Sequence, residues 1–163
     1  MSVKRLLRHL LMPGWRTRTR FPAATLGRIE AAIAESERRH GGQLRFAVEA
    51  ALDLLPLLRG ESARERALEV FSQLRVWDTE ANNGVLIYLL LADHDVEIVA
   101  DRGIHRRVGA ETWERICQKM EIAFRVGQFE AGVLAGIEAI SAELARHYPP
   151  GAENELPDAP VML

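Results

Sequence analysis

The sequence predicts an α/β fold: a three-layer α/β/α sandwich around a small mixed sheet. Three observations carry that expectation. Residues 84–92, GVLIYLLLA, contain no charged side chain, the mark of a strand covered on both faces. The polar turn Asp93-His94-Asp95 then leads into VEIVA, which alternates and so returns as an antiparallel strand. Upstream, QLRFAVE also alternates, and a helical stretch separates it from the hairpin. A strand–helix–strand unit calls for a right-handed crossover and a parallel pair, so helices must cover both faces. The sheet has room for one further short strand, which the sequence does not locate.

In chain order, residues 1–21 form a basic amphipathic arm. Leu6, Leu7, Leu10 and Leu11 share one helical face beside Lys4, Arg5 and Arg8, and Pro13-Gly14 break the pattern. Residues 22–148 form the folded domain. Pro22 and Thr25 open a helix running to about His40, which Gly41-Gly42 end. The strand QLRFAVE follows, and residues 50–61 read as a loop. Ser62 and Glu65 make a capping box for a second helix whose buried face is Ala67, Leu68, Phe71 and Leu74. After the hairpin and Gly103 come two more helices. Trp113, Ile116, Cys117, Met120 and Phe124 line one; Phe129, Val133, Ile137, Ile140 and Leu144 line the other. Residues 149–163, rich in Pro and acid, are expected to be a flexible tail.

Charge is unevenly placed. The net charge is −2, yet residues 1–20 carry six basic side chains and no acid, leaving 15 basic against 23 acidic residues elsewhere. Such an arm could seek an anionic lipid surface, a nucleic acid or the acidic body itself. The other basic cluster, Arg102, His105, Arg106 and Arg107, is too small to make nucleic acid the expected partner. The apolar part of the arm is too short for a signal peptide or a membrane span, and the lone Cys117 cannot form an internal disulfide. The expected location is cytoplasmic.

Taken together, NNGVLIYLLLAD, the hairpin, VEIVADRGI and FRVGQFEAGVLAGIEAI resemble the TPM domain, named for thylakoid-lumen, photosystem II repair and receptor-modulating members. The likeness covers about residues 25–147. It rests on Asn82-Asn83-Gly84-Val85-Leu86, on the loop at Arg102-Gly103 and on the helix signal from Gln128 to Gly132. Two features depart from the pattern: residues 13–25 hold no acid where members carry an Asp, and no signal or membrane-anchor segment is evident. The resemblance implies the α/β/α fold. For function it implies divalent-cation binding, a weak acid phosphatase, or an accessory role beside a membrane complex.

Strand direction gives the residues their own reading. Two parallel strands start after Gly42 and Asn83, and the antiparallel strand ends at Asp101. One edge of the sheet therefore gathers Glu37, His40, Asp78, Glu80, Asn82, Asn83, Asp101 and Arg102. Carboxylate and amide oxygens from several loops suit calcium or magnesium, which take six or more oxygens. Asp78, Asn83 and Asp101 are the candidate metal ligands, with Glu37 and Asn82 in reserve, and Arg102 would clamp a phosphate or fix the loop. The same residues also suit turn chemistry, with Asp101 and Arg102 as an ion pair. Asp93-His94-Asp95 superficially resembles the two-aspartate signature of haloacid-dehalogenase-type phosphatases, but it lies in a hairpin turn at the other edge. No Walker loop, GxGxxG or zinc motif is present. The expected function is a non-enzymatic binding or accessory domain with an unidentified, membrane-associated protein partner, the arm touching anionic lipid. The alternatives are a metal-dependent phosphomonoesterase and a purely structural interaction module.

Overall fold

A computed structural model describes residues 3–163. The arm's first two positions lie outside the described residues. Two short helices, α1 (Val3–Leu10) and α2 (Trp15–Arg20), precede α3 (Ala23–Glu37) and strand β1 (Gln43–Glu49). Then come α4 (Leu54–Leu58), α5 (Ala63–Gln73), β2 (Gly84–Leu90) and β3 (Asp95–Ala100). Helices α6 (Arg102–Val108), α7 (Ala110–Arg125) and α8 (Phe129–His147) follow, and the chain closes with β4 (Val161–Met162).

The sheet order is β3-β2-β1-β4. Strands β1 and β2 run parallel, with Gln43 opposite Gly84 and Glu49 opposite Leu90. Strand β3 is antiparallel to β2, and Leu90 faces Asp95 across the hairpin. Because successive side chains alternate across a strand, each face of the sheet builds its own core. Leu44, Phe46, Val85, Ile87 and Leu89 pack against α3, α7 and α8 through Ile29, Ile33, Met120, Phe124, Val133 and Ile137. Ala47, Leu86, Tyr88 and Leu90 pack against α4 and α5 through Leu57, Ala63, Ala67 and Val70. The result is the expected three-layer α/β/α sandwich with a mixed sheet. No helix of the described residues is long and apolar enough to cross a membrane.

The capping box forms as expected, with the Ser62 hydroxyl accepting from Glu65 N and the Glu65 carboxylate accepting from Ser62 N. Four local expectations are corrected. Leu68 lies on the outer side of α5, about half exposed, while Ala63 joins the buried face. The stretch 50–61 is not all loop, because LLPLL winds into α4. A separate short helix, α6, precedes the two long ones and is split from α7 by Gly109 at φ +85°. At seven residues, four of them Arg or His, it is too short to show an apolar period.

The fourth correction concerns the tail, which lies along β1 instead of standing free. Val161 and Met162 pair in parallel with Ala47 and Val48, and Leu163 N donates to Val48 O at 2.9 Å. Gln43 Oε1 accepts from Glu155 N and Leu156 N, Gln43 Nε2 donates to Glu153 O, and Arg45 donates to Pro157 O at 2.7 Å. Without it, β1 would present an open edge with unpaired backbone groups. A two-residue strand carries no readable period, so composition alone misplaces it.

Candidate functional site

The starting ends of β1 and β2 and the finishing end of β3 meet at one edge. Asp101 N donates to Gly84 O at 2.8 Å, and Gln43 N to Asn83 O at 3.4 Å. The loop before β2 is held close. A Cβ on Gly84 would overlap the Val76 carbonyl oxygen, and one on Gly103 would overlap that of Asn82. Asn83 is almost fully buried: its N–H donates to Thr79 Oγ1 at 3.1 Å and its amide nitrogen to Gly41 O at 2.9 Å. Asp101 caps α6, its Oδ1 accepting from Arg102 N at 2.6 Å. The pair thus meets through the backbone, not as the ion pair anticipated.

Each of these residues keeps a buried polar atom without a hydrogen-bond partner. The atoms are Asn83 Oδ1 and Asp101 Oδ2, joined on the same edge by His40 Nε2 and the Tyr148 hydroxyl. Asn83 is 1% exposed and Asp101 8%. Gly42 N donates to His40 Nδ1 at 3.1 Å, which puts the ring proton on Nε2. Burial and then the Arg39 charge push His40 down to about 4, so the ring is neutral. Tyr148 O accepts from Gly41 N, and its ring lies under the Arg107 guanidinium at 5.0 Å. Burial raises the Tyr148 phenol, with Asp101 adding to the rise and Arg107 opposing it. Such orphaned atoms in a native fold call for an explanation, among them stored strain, a catalytic role, or a water or ion.

The remaining candidates go elsewhere. Asp78 is exposed and turned to Arg75, Oδ2 to Nη2 at 2.6 Å. Glu80 contributes its backbone N–H to Glu155 at 2.9 Å. Asn82 sits at φ +50°, exposed, its carbonyl accepting from Ile104 N. Glu37 accepts from Leu44 N through Oε1 at 2.8 Å and lines a separate cavity of about 470 Å³ with Gln43, Asn154 and Asp158. Burial, and then Asp158 nearby, push Glu37 up to about 8. Arg102 is exposed. The strand ends that carry Asn83 and Asp101 therefore lie side by side, while Asp78 turns to Arg75 and Glu37 to Leu44 N. Among the described residues no three His, Cys, Asp or Glu side chains are grouped to hold a metal.

At the opposite edge, the carboxylates of Asp93 and Glu49 are matched. Asp93 receives Arg5 Nε at 2.9 Å and Arg8 Nη2 at 3.0 Å. His9 Nε2 lies 3.2 Å from Asp93 Oδ2, out of line for a hydrogen bond, and Nδ1 accepts from Leu52 N at 3.0 Å. The arm thus docks on the body, with Phe21 packed between Phe46 and Phe129. Beside it Glu49 takes two bonds from Arg66, at 2.9 and 3.0 Å, and one from the Tyr88 hydroxyl at 2.6 Å. Sequence reasoning did not foresee this triad; its available signal was a lone Tyr inside an otherwise aliphatic strand. A cavity of about 550 Å³ lies between β3 and α7. Cys117 on its wall is pushed by burial up to about 12, so it stays a thiol and not a nucleophile.

Comparison with known proteins agrees with this architecture. No curated protein matches the chain. The BA42 protein of the psychrophilic bacterium Bizionia argentinensis, solved by NMR, is similar over 88% of this chain and 95% of its own, with 28% identity and a TM-score of 0.77. The N-terminal domain of a protein from P. gingivalis shares the fold at 16% identity and a TM-score of 0.64, over 88% of this chain and 95% of its own. A family model of the TPM domain matches residues 18–143. With most of its length matched, the chain belongs to the TPM domain family.

Proposed function

We propose that this is a non-enzymatic binding domain that takes a divalent cation, calcium or magnesium, at the Asn83–Asp101 edge and acts as an accessory to a membrane-associated partner. One observation carries the cation reading: two hard oxygen donors, Asn83 Oδ1 and Asp101 Oδ2, are buried on neighbouring strand ends with nothing bonded to them. Leaving such atoms unpaired costs about 1–3 kcal/mol each, more for a charge. A cation there takes one carboxylate and one amide oxygen from side chains and fills its shell with carbonyl oxygens and water. That is a weak site, of the kind with dissociation constants on the order of 10⁻⁴–10⁻³ M.

Thermal melting with added calcium or magnesium tests it. At a hundredfold excess over the dissociation constant, the fold gains about 2.7 kcal/mol, an upward shift of roughly 5–10 °C for a chain of this size. Asp101→Asn keeps the helix-capping acceptor but removes the charge, and should lose the shift. An equal shift in both proteins, or none in the wild type, would remove the reading.

The phosphomonoesterase alternative uses the same edge, with Arg102 clamping phosphate; its guanidinium is exposed and makes no ion pair among the described residues. Hydrolysis of p-nitrophenyl phosphate that survives purification, yet vanishes in both Asp101→Asn and Arg102→Ala, would replace the binding reading with this one.

A further inference from the structure

The large apolar side chains left in solvent are concentrated on one part of the molecule. Leu7 and Leu10 on α1, Leu11 just after it, and Leu54, Leu55 and Leu58 on α4 are each 50–72% exposed. On α1 these follow helical spacing, with Val3 one turn earlier, so they form a single outward stripe. The two helices are neighbours: α1 packs beside α4, and His9 Nδ1 holds the backbone N–H of Leu52 just before α4. Monomeric soluble proteins seldom leave contiguous apolar surface of this kind uncovered unless something binds it.

Charge indicates what covers it. Arg5 and Arg8 are held by Asp93, so they anchor the arm to the body and do not reach outward as free charges. Arg16, Arg18 and Arg59 are exposed and make no ion pair among the described residues. Along the chain they flank the apolar segments, as does Trp15, which is well exposed at the start of α2. Leucines facing outward, a tryptophan beside them and cations at the margin form the pattern of a segment lying in a bilayer interface.

We propose that the outward faces of α1 and α4 form one patch that inserts shallowly into an anionic bilayer surface, its leucines entering the headgroup boundary and Arg16, Arg18 and Arg59 meeting lipid phosphate. The contact goes beyond an electrostatic arm: α4, far along the chain, supplies half of the named leucines, and the arm stays docked. It is independent of the cation site.

Co-sedimentation of the full chain, in EDTA, with vesicles of equimolar phosphatidylglycerol and phosphatidylcholine tests it, with phosphatidylcholine vesicles as the second arm. The wild type should pellet with the anionic vesicles and much less with the neutral ones. The double variant Leu11→Glu/Leu55→Glu alters two exposed side chains and should melt as the wild type does, yet bind at least about tenfold more weakly. Asp101→Asn should bind normally, which separates this contact from the cation reading. Absence of wild-type binding, or equal binding by the double variant, overturns the proposal. So does concentration-dependent self-association without vesicle binding that the double variant abolishes, because the face would then belong to a second copy of the chain.

Discussion

At the turn of the β2–β3 hairpin, Asp93 gathers Arg5, Arg8 and the edge of His9, and nearby Glu49 gathers Arg66 and the Tyr88 hydroxyl. At the hairpin's far end, Asp101, Asn83, His40 and Tyr148 are as deeply placed, yet each retains a buried polar atom with no hydrogen-bond partner, as only His9 Nε2 does among the groups named at the turn. The two ends hold similar side chains. They differ in whether long basic residues from other elements can reach them. Arginines of α1 and α5 close on the turn end, whereas at the other end Arg107 stacks on the Tyr148 ring and Arg102 offers Asp101 only its N–H. One end is a structural latch, and the other keeps buried polar atoms unbonded.

The sharpest way to break this contrast is at the latch. Asp93→Ala removes the acceptor of two arginines and leaves His9 buried beside it, and should cost about 3 kcal/mol. Urea unfolding gives the loss, and trypsin should cut the released arm sooner; an unchanged midpoint with an intact arm would show that the docking does not depend on Asp93.

The two buried tyrosines give the next largest difference. Tyr88→Phe takes a charged hydrogen bond from Glu49 and should lose about 2 kcal/mol. Tyr148→Phe removes a buried hydroxyl bonded to nothing, and should leave stability unchanged or raise it by up to about 1–3 kcal/mol. Equal losses for the two would remove the distinction between the ends.

A smaller effect lies in pH. Glu37, raised to about 8 in the folded state, holds its proton longer than in the unfolded chain, so its contribution is present at low pH and is lost as pH rises from about 4.5 to 8. His40, lowered to about 4, acts in reverse: its contribution is present above about 6.5 and is lost as pH falls towards 4. The two oppose each other below about 6.5, and Glu37 acts alone above it. Glu37→Gln should therefore flatten the decline between about pH 6.5 and 8, worth roughly 1–2 kcal/mol from the remaining part of the shift. A wild type already flat in that window would show Glu37 to be ionised in the fold.

Much of this was legible beforehand. The uninterrupted run 84–92 specified a central strand, its alternating return specified the hairpin, and the stripes on α7 and α8 specified their buried faces. Strand direction alone placed the start of β2 beside the end of β3, because topology sets which strand ends are neighbours. It could not say that Asp78 would turn to Arg75, or that Glu37 would turn to Leu44 N and a separate cavity. Those choices depend on side-chain rotamers in loops, where no period constrains direction.

What the sequence determined by itself is the layer order and the two cores, since hydrophobic periodicity is a local property repeated over many residues. What the tertiary structure decided rests on single long-range contacts. The tail covers the edge of β1, α1 comes to rest against α4, and Asp93 has cations within reach while Asp101 has a lone oxygen to offer. Each of these joins residues far apart in the chain through one or two bonds, and so few contacts leave no pattern in the sequence for a reader to find.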